Sequence, residues 1–153
     1  HEQAAGMDVA RSAIPDLRKA FNIAACQRFS TDELRPELSI DLELSLNSID
    51  LQLVHWFKYL GPHGIGNPCP VFIMRKVGFE QAKIVGANHI KGTLIGNSGT
   101  IEAIGFGLAD TYPPNKLYGG LYDIAFELER NEFRGSVSPQ ARLLALREHR
   151  IEA

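Results

Sequence analysis

The ten residues Gly61-Pro62-His63-Gly64-Ile65-Gly66-Asn67-Pro68-Cys69-Pro70 constrain the fold of this chain more than any other stretch. Proline removes backbone hydrogen-bond donors and glycine raises the entropic cost of ordering, so three of each in ten residues predict neither helix nor strand. The residues before this segment show the patterns of helix, strand and helix. Those after it show a series of strands separated by turns. We therefore interpret residues 61–70 as a hinge between two unlike parts.

The composition is that of an ordinary globular protein. Hydrophobic residues make up 44% and charged residues 22% of the 153 positions, and no run approaches the roughly 20 apolar residues of a membrane span. Cys26 and Cys69 lack the spacing of a zinc site or a disulfide framework, so we expect reduced thiols in a cytoplasmic protein with no membrane partner. The chain shows no start methionine and no leader, so we expect a piece of a longer protein.

The net charge of −2 is divided unequally between the two parts. Residues 1–70 carry six basic and nine acidic side chains, whereas residues 71–153 carry ten basic and nine acidic ones. Nucleic-acid-binding domains usually show a clear basic excess, which is missing here. A basic groove is nevertheless compatible with a total near zero. The charge balance therefore neither indicates nor excludes such a domain.

Before the hinge, the sequence predicts a helix, a strand and a second helix. Residues 12–29 carry apolar side chains at helical spacing. Residues 39–46 alternate strictly, which predicts a strand with one buried face. Asn47-Ser48 begins a second helix, in which Trp56 shares the apolar face. We expect Trp56 in the core, or in an interface with a domain that is absent here.

Beyond the hinge, the sequence predicts five strands. They cover residues 71–79, continuing through a bend at Gly78 to Gly86, and residues 89–95, 100–107, 121–130 and 140–147, with loops over 110–120 and 131–139. Five short strands with one longer connection after the third fit a Greek-key barrel of the oligonucleotide/oligosaccharide-binding (OB) type. An SH3-like barrel is the nearest competitor. The predicted fold class is α+β, a small helix–strand–helix part followed by the barrel.

Four local patterns then occur in one order along the chain. They are His1-Glu2-Gln3-Ala4-Ala5-Gly6, then Gly64-Ile65-Gly66-Asn67-Pro68-Cys69-Pro70-Val71-Phe72, then His89-Ile90-Lys91 with Ala103-Ile104-Gly105-Phe106-Gly107, and finally Asn131-Glu132-Phe133-Arg134-Gly135 followed by Gln140. The first resembles the end of the Gly-Gly-His-x-x-Ala-Ala-Gly motif of the DHH-associated domain. The others resemble the Gly-x-Gly-Asn-Pro-x-Pro-x-Phe junction, two barrel strands and the last hairpin of RecJ-type proteins. The resemblance covers nearly the whole chain.

This resemblance implies the C-terminal part of a single-stranded-DNA-specific 5′→3′ exonuclease of recombination and repair. Residues 1–60 would be the end of the DHH-associated domain with a connecting helix, residues 61–70 the hinge, and residues 71–153 the OB domain. In this family an N-terminal DHH domain, absent here, holds catalytic Mn²⁺ or Mg²⁺. We therefore expect no cofactor in this piece and no nuclease activity from it alone. The implied partners are single-stranded DNA and the missing DHH domain.

By the same resemblance, His1 is the motif histidine near the scissile phosphate, where an imidazole would stabilise phosphoryl charge. The alternative is that a terminal histidine without its two glycines has no ordered role. Two Gly-x-Gly occurrences, at residues 64–66 and 105–107, lack the third glycine and the strand-to-helix setting of a dinucleotide fingerprint. The order of residues indicates no metal-ligand set and no Ser/His/Asp set.

Proteins that bind single strands combine cations along the backbone with aromatic side chains that stack on bases. The candidate nucleic-acid-binding residues are Arg75, Lys76, Lys83, His89, Lys91, Tyr112, Arg130, Phe133, Arg134 and Arg142. Strand alternation predicts that Arg75 and Lys76 point to opposite faces. The alternative for these charges is a solvated barrel exterior.

The aromatic side chains divide into two groups by their predicted place. We expect Phe72, Phe106 and Phe126 to pack in the core, whereas Tyr112 and Phe133, in loops, are better stacking candidates. A second functional hypothesis is that the barrel is a structural module that braces the catalytic domains or docks single-strand-binding protein. Cations collected on one face beside Phe133 or Tyr112 would favour DNA binding, and scattered cations would favour the structural role.

Overall fold

The computed structural model describes residues 4–30 and 32–150. The helices are α1 (Ile14–Arg28), α2 (Leu51–Phe57) and α3 (Pro114–Leu117), with short 3₁₀ turns at Arg11–Ala13 and Leu46–Ser48. The strands are β1 (Leu42–Glu43), β2 (Phe72–Val85), β3 (His89–Gly96), β4 (Gly99–Gly105), β5 (Tyr122–Phe133) and β6 (Ser136–Glu148). No helix among the described residues is long and apolar enough to cross a membrane.

Strands β2 to β6 form a closed barrel. Their order is β2-β3-β4-β6-β5, and β5 pairs in turn with β2, which closes the ring. Strands β4 and β6 run parallel, whereas the other neighbours in the ring run antiparallel. The short α3 lies in the long connection between β4 and β5. This is the five-stranded Greek-key order of the OB fold, so the predicted barrel type is confirmed and the SH3-like competitor is excluded.

The long strand β2 pairs with two neighbouring strands in succession. Its first half pairs with β5 and its second half with β3. The register shifts between Met74 and Val77 and again between Glu80 and Lys83, and the backbone adopts positive φ at Lys76 (56°) and Gln81 (52°). A non-glycine residue with positive φ is uncommon, and here each marks a β-bulge that bends the strand. Bulges of this kind allow one strand to curve around a small barrel.

Inward-facing side chains fill the barrel. The most completely buried large ones, each at most 1% exposed, are Phe126, Ile124, Met74, Ile90, Leu94 and Leu117. Burial of each such side chain contributes roughly 1.5–3 kcal/mol. Helix α2 covers one end of the barrel, where Phe57 stacks on Phe72 at 5.4 Å between ring centroids. Phe72 and Phe126 therefore lie in the core, as predicted.

Two compact units divide the chain after Leu38. The first unit contains α1, which confirms the helix predicted over residues 12–29, with Pro15 in its first turn. No residue of α1 is buried, and Phe21 is 57% exposed. Residues 39–60 cluster with the barrel in the second unit. The assignment of residues 1–60 to a DHH-associated domain stays a prediction.

The strand predicted over residues 39–46 is much shorter in the structure. Only Leu42–Glu43 pairs, in parallel, with the start of β2. The backbone leaves the sheet at Ser45, whose hydroxyl contacts the side chains of Asn47 and Ser48, and turns into the 3₁₀ segment. Leu46 is buried but Leu42 is 57% exposed, so the expected buried face is wrong along most of its length.

Residues 61–70 form an irregular loop, as predicted, that is held by hydrogen bonds. The N–H groups of Gly64 and Asn67 donate to each other's carbonyl oxygens, at 2.9 and 3.1 Å. The Asn67 side-chain amide also donates to the carbonyl oxygens of Leu60 (2.7 Å) and Pro62 (3.1 Å). The loop lies within the second unit.

The loop predicted over residues 131–139 is wrong. Strands β5 and β6 stay paired as far as Phe133 and Ser136, and only Arg134 and Gly135, both with positive φ, make the turn. The hairpin therefore extends beyond the point where sequence composition predicted its end. The turn is confined to Arg134 and Gly135 and does not extend throughout residues 131–139.

Asp123 stabilises the junction where β2 meets β5 and β6. Its carboxylate is 5% exposed and accepts hydrogen bonds from Arg75, Arg147 and the backbone N–H of Lys76, and His149 Nδ1 lies 2.7 Å away. Burial alone would raise the pKa of Asp123. The hydrogen bonds from His149, Arg147 and Lys76 outweigh burial and hold the pKa below its ordinary value of 3.8.

We expect Asp123→Asn to lower the free energy of unfolding by about 2 kcal/mol near neutral pH, because the mutant loses hydrogen bonds to a charged group. A lowered folded-state pKa contributes stability that is present above the unfolded value and is lost as the pH falls through the folded value. Urea unfolding followed by circular dichroism should therefore show the difference between wild type and mutant shrinking below pH 3.8. Asp32→Asn, at an exposed ion pair, is the control. An equal loss in both mutants would contradict this role for Asp123.

Candidate nucleic-acid interface

Strand pairing aligns the outward side chains of the barrel in rows. One row, from β2 through β3, β4 and β6 to β5, is Lys83, Lys91, Ile104, Arg142 and Glu127. The neighbouring row is Glu80, Thr93, Glu102, Gln140 and Glu129. The first row carries three cations and one carboxylate, and the second carries three carboxylates. The outer face is therefore divided into a basic and an acidic band.

An exposed aromatic ring lies at one end of the basic band. Phe106 follows β4 directly and is 53% exposed, so the prediction that it packs in the core is wrong. Its ring contacts His89 edge-to-face, with 5.2 Å between ring centroids. Lys91 lies two residues from His89 on the same face, and Lys83 lies opposite Lys91. We call Lys83, His89, Lys91 and Phe106 the platform.

Hydrogen bonds fix the orientation of the platform. The Gly107 N–H donates to His89 Nδ1 at 3.1 Å, so in the neutral imidazole the proton is on Nε2. Next to it, the Asn88 amide donates to Asp110 Oδ2 at 2.6 Å, and the Asp110 N–H donates back to Asn88 Oδ1 at 3.0 Å. These contacts join the β2–β3 turn to the segment after β4. They hold Phe106 against His89, which lies two residues from Lys91 on β3.

The two platform lysines differ in their neighbours. Like charges directly opposite each other on paired strands repel. Lys91 Nζ lies 3.7 Å from Glu102 Oε2, which offsets part of this repulsion. Lys83 forms no ion pair with any residue of the described ranges. Its charge is therefore the better placed of the two to attract an anion.

Arg142 is committed to carboxylates of the barrel. Its guanidinium contacts Glu127 and, at 2.9 Å, Glu129 Oε1. The hydrogen bond to Glu127 and the two negative charges raise the pKa of Arg142 despite its partial burial. The Cys69 thiol lies in the same environment, where burial and then the Glu127 charge raise its pKa. Arg142 is thus the least available of the predicted cations on this face.

Arg75 and Lys76 do not lie on opposite faces as alternation predicted. The bulge places both side chains outside the barrel, while Met74 and Val77 on either side point inward. Arg75 binds Glu43 (2.9 Å) and Asp123 (3.3 Å), so it joins β1, β2 and β5. Lys76 forms no ion pair within the described residues.

The tip of the β5–β6 hairpin carries a second set of predicted residues. Phe133 is 64% exposed and the Arg134 guanidinium lies 5.2 Å from its ring centroid. Arg130 pairs with Glu132 at 2.8 Å. Because β4 and β6 run parallel, this tip extends from the end of the barrel opposite Phe106. Apart from Arg75 and Lys76 at the first bulge of β2, the predicted cations therefore form two separate groups.

The remaining predicted residues are placed differently. Tyr112 is half-buried and packs against the core, and its hydroxyl donates to the Leu146 carbonyl oxygen at 2.9 Å. This contact makes it a weaker stacking candidate than Phe106 or Phe133. His1 lies outside the described residues. Among the described residues, no three His, Cys, Asp or Glu side chains come together as a metal ion requires.

Comparison with known proteins assigns the family. The sequence model of the family described as RecJ OB domain matches residues 40–145. The chain belongs to this family. The match begins just after the boundary between the two compact units and includes the hinge, the barrel and both groups of cations.

Curated relatives that match this chain carry the name single-stranded-DNA-specific exonuclease RecJ. The chain is 27% identical over 142 residues to the protein of Bacillus subtilis and 29% identical over 144 residues to that of Haemophilus influenzae. Each alignment covers 92% of the chain but only 18% and 25% of the relative. The chain thus spans about a fifth to a quarter of the length of these relatives.

Solved structures show the same fold. Thermus thermophilus RecJ in complex with Mn²⁺ matches 97% of the chain with a TM-score of 0.66 and 23% identity. The structure with Mg²⁺ matches 95% with a TM-score of 0.62. In both cases the match covers 21% of the solved chain.

The exposure of Phe106 gives a direct stability test. We expect Phe106→Ala to lower the free energy of unfolding by only about 1 kcal/mol, because the half-exposed ring loses chiefly its edge-to-face contact with His89. Phe126→Ala, at a fully buried ring, should cost about 3–5 kcal/mol. Urea denaturation of both variants makes the comparison. Similar losses would mean that Phe106 is part of the core.

Proposed function

We propose that this chain is the single-stranded-DNA-binding C-terminal segment of a RecJ-type 5′→3′ exonuclease of recombination and repair in the cytoplasm. The observation that carries the proposal is the platform on an OB barrel. Strands two and three of OB folds and the loops beside them commonly bind oligonucleotides, and these correspond to β3, β4 and the turn before β3. The hydrolytic step, with its Mn²⁺ or Mg²⁺, would belong to a DHH domain outside this chain.

The chemistry of the platform supports a single strand over a duplex. Phe106 and the adjacent His89 offer ring surface to an unpaired base, whose faces are covered in a duplex. Lys91 lies two residues from His89 on β3 and Lys83 lies opposite Lys91 on β2, where both would neutralise phosphates. Such contacts read no base edge, so we expect little sequence preference and strong dependence on salt.

The acidic band favours a second role for part of the barrel. Glu80, Glu102 and Glu129 would repel a phosphate backbone, which disfavours close contact of DNA with the acidic band itself. The rest of the face then suits bracing of the catalytic domains or docking of a protein such as single-strand-binding protein. This structural role is the alternative function if the platform does not bind DNA.

Fluorescence anisotropy of a labelled oligo-dT tests the proposal. We expect salt-sensitive binding that a duplex competes for poorly. In the double variant Lys83→Gln with Lys91→Gln, the magnitude of the slope of log affinity against log salt concentration should fall by about 1.4. Each phosphate contact that is lost on a single strand lowers this slope by about 0.7. Phe106→Ala should weaken binding by about 1–3 kcal/mol.

The charge-matched control is Lys19→Gln with Lys116→Gln, which changes the net charge equally at two lysines that are not part of the platform. We expect wild-type binding from this variant. No binding by the wild-type chain at low salt would overturn the proposal in favour of the structural role. An equal effect of both double variants would show that only total charge matters.

The chain alone should not degrade DNA, because the proposed catalytic domain lies outside it. Incubation of 5′-labelled single-stranded DNA with the purified chain and Mn²⁺ or Mg²⁺ should release no labelled nucleotide. Metal-dependent release that co-purifies with the chain through successive columns would contradict this assignment.

A further inference from the structure

Helix α2 carries an aromatic surface that the proposed function does not use. Trp56 is 58% exposed and Tyr59, just beyond the helix, is 64% exposed, so the core is wrong as a place for Trp56, and the predicted interface with an absent domain stays a prediction. Their ring centroids lie 5.6 Å apart, and the His55 ring is 5.8 Å from each. The opposite side of the helix packs on the barrel through Val54 and Phe57. His55 and Trp56 therefore lie on a helix that packs against the barrel, and Tyr59 lies in the turn that follows it.

A groove runs beside this surface between α2 and the β5–β6 hairpin. It has a volume of about 600 Å³. Its floor is apolar, from Leu51, Val54, Phe57, Leu128 and Val137, and its rim carries His55, Lys58 and Arg130. Lys58 Nζ also lies 4.8 Å from the Tyr59 ring centroid. The lining includes no carboxylate, although Glu132 pairs with Arg130 nearby.

We propose that α2 and the base of the β5–β6 hairpin form a second single-strand subsite, with Trp56 and Tyr59 stacking on bases and Lys58 and Arg130 contacting phosphates. This inference rests on the proposed function and extends it to the same strand. The charges around the groove favour single-stranded DNA as its occupant. Lys58 gives the groove rim a cation without an ion pair among the described residues, and Arg130 adds a second that it shares with Glu132. By contrast, the two rows on the barrel face carry four carboxylates and three cations. Arg134 and Phe133 continue the same chemistry to the hairpin tip.

The chain carries its own reporter for this subsite, because Trp56 is the only tryptophan in the sequence. Stacking of a base on its indole should quench the tryptophan fluorescence during titration with an oligo-dT of about 16 nucleotides, the upper site size of one OB fold. Labelled-DNA anisotropy is followed in the same titration. We expect the two signals to saturate together.

Variants separate this subsite from the platform. Trp56→Ala with Tyr59→Ala should weaken the affinity for this oligo-dT by at least about fivefold, the lower end of the stacking contribution. Lys58→Gln should lower the salt slope by about 0.7. The matched aromatic control is Phe21→Ala, an equally exposed ring on α1, which should bind as wild type does.

Two outcomes would overturn the inference, and they differ in what else they exclude. In the first, anisotropy shows binding that is lost in the Lys83→Gln with Lys91→Gln variant, but the tryptophan is not quenched and the Trp56/Tyr59 variant binds with wild-type affinity. This result leaves the proposed function standing and assigns the α2 surface to a protein contact. No anisotropy change at low salt removes both the proposed function and this subsite.

Discussion

The closed barrel depends on one strand pairing with two neighbours. Strand β2 has to leave β5 and join β3 within 14 residues, and two bulges make this bend. Asp123 stabilises the first bulge by accepting the N–H of Lys76, whose positive φ turns it toward the carboxylate. The bulges also set the functional face. One bulge alone would invert the alternation and point Lys83 into the core, whereas the second returns it to the outside beside Lys91.

The charged side chains of the barrel mostly serve the barrel itself. Arg75 and Arg147 bind Asp123, and Arg142 binds Glu127 and Glu129, so these arginines join neighbouring strands. Apart from Lys76 at the first bulge of β2, the predicted cations outside these arginine pairs lie at two ends, on the platform and around the β5–β6 hairpin. In the strand register the acidic band of Glu80, Glu102 and Glu129 lies between the basic band and the hairpin tip, so a strand bound at both has to pass it. The cations on either side of this band make a barrel with near-zero total charge compatible with DNA binding.

The sequence predicted the order of strands and the barrel, because alternation and turn residues are local signals. It failed where a tertiary contact decides the outcome. The positive-φ positions of the two bulges are Lys76 and Gln81 and not glycines, so the residue types in the sequence do not indicate the bulges. The sequence predicted Phe106 in the core because the residue is apolar. Strand alternation places it outside, because Ile101 and Ala103 are buried and the side chains of β4 alternate between the two faces. The inward position beside it belongs to Gly105, where a Cβ would lie 2.8 Å from Leu108 Cδ1.

The most direct test of this account is an NMR titration of the isotopically labelled chain with oligo-dT, because it locates bound DNA without altering any residue. The account predicts that backbone shifts change at residues 83–91 and 104–107 and that the Trp56 indole N–H shifts in parallel. Residues of the acidic band should change little. Binding that leaves residues 83–91 and 104–107 unperturbed would contradict the central claim that the β2–β4 face of the barrel carries the strand.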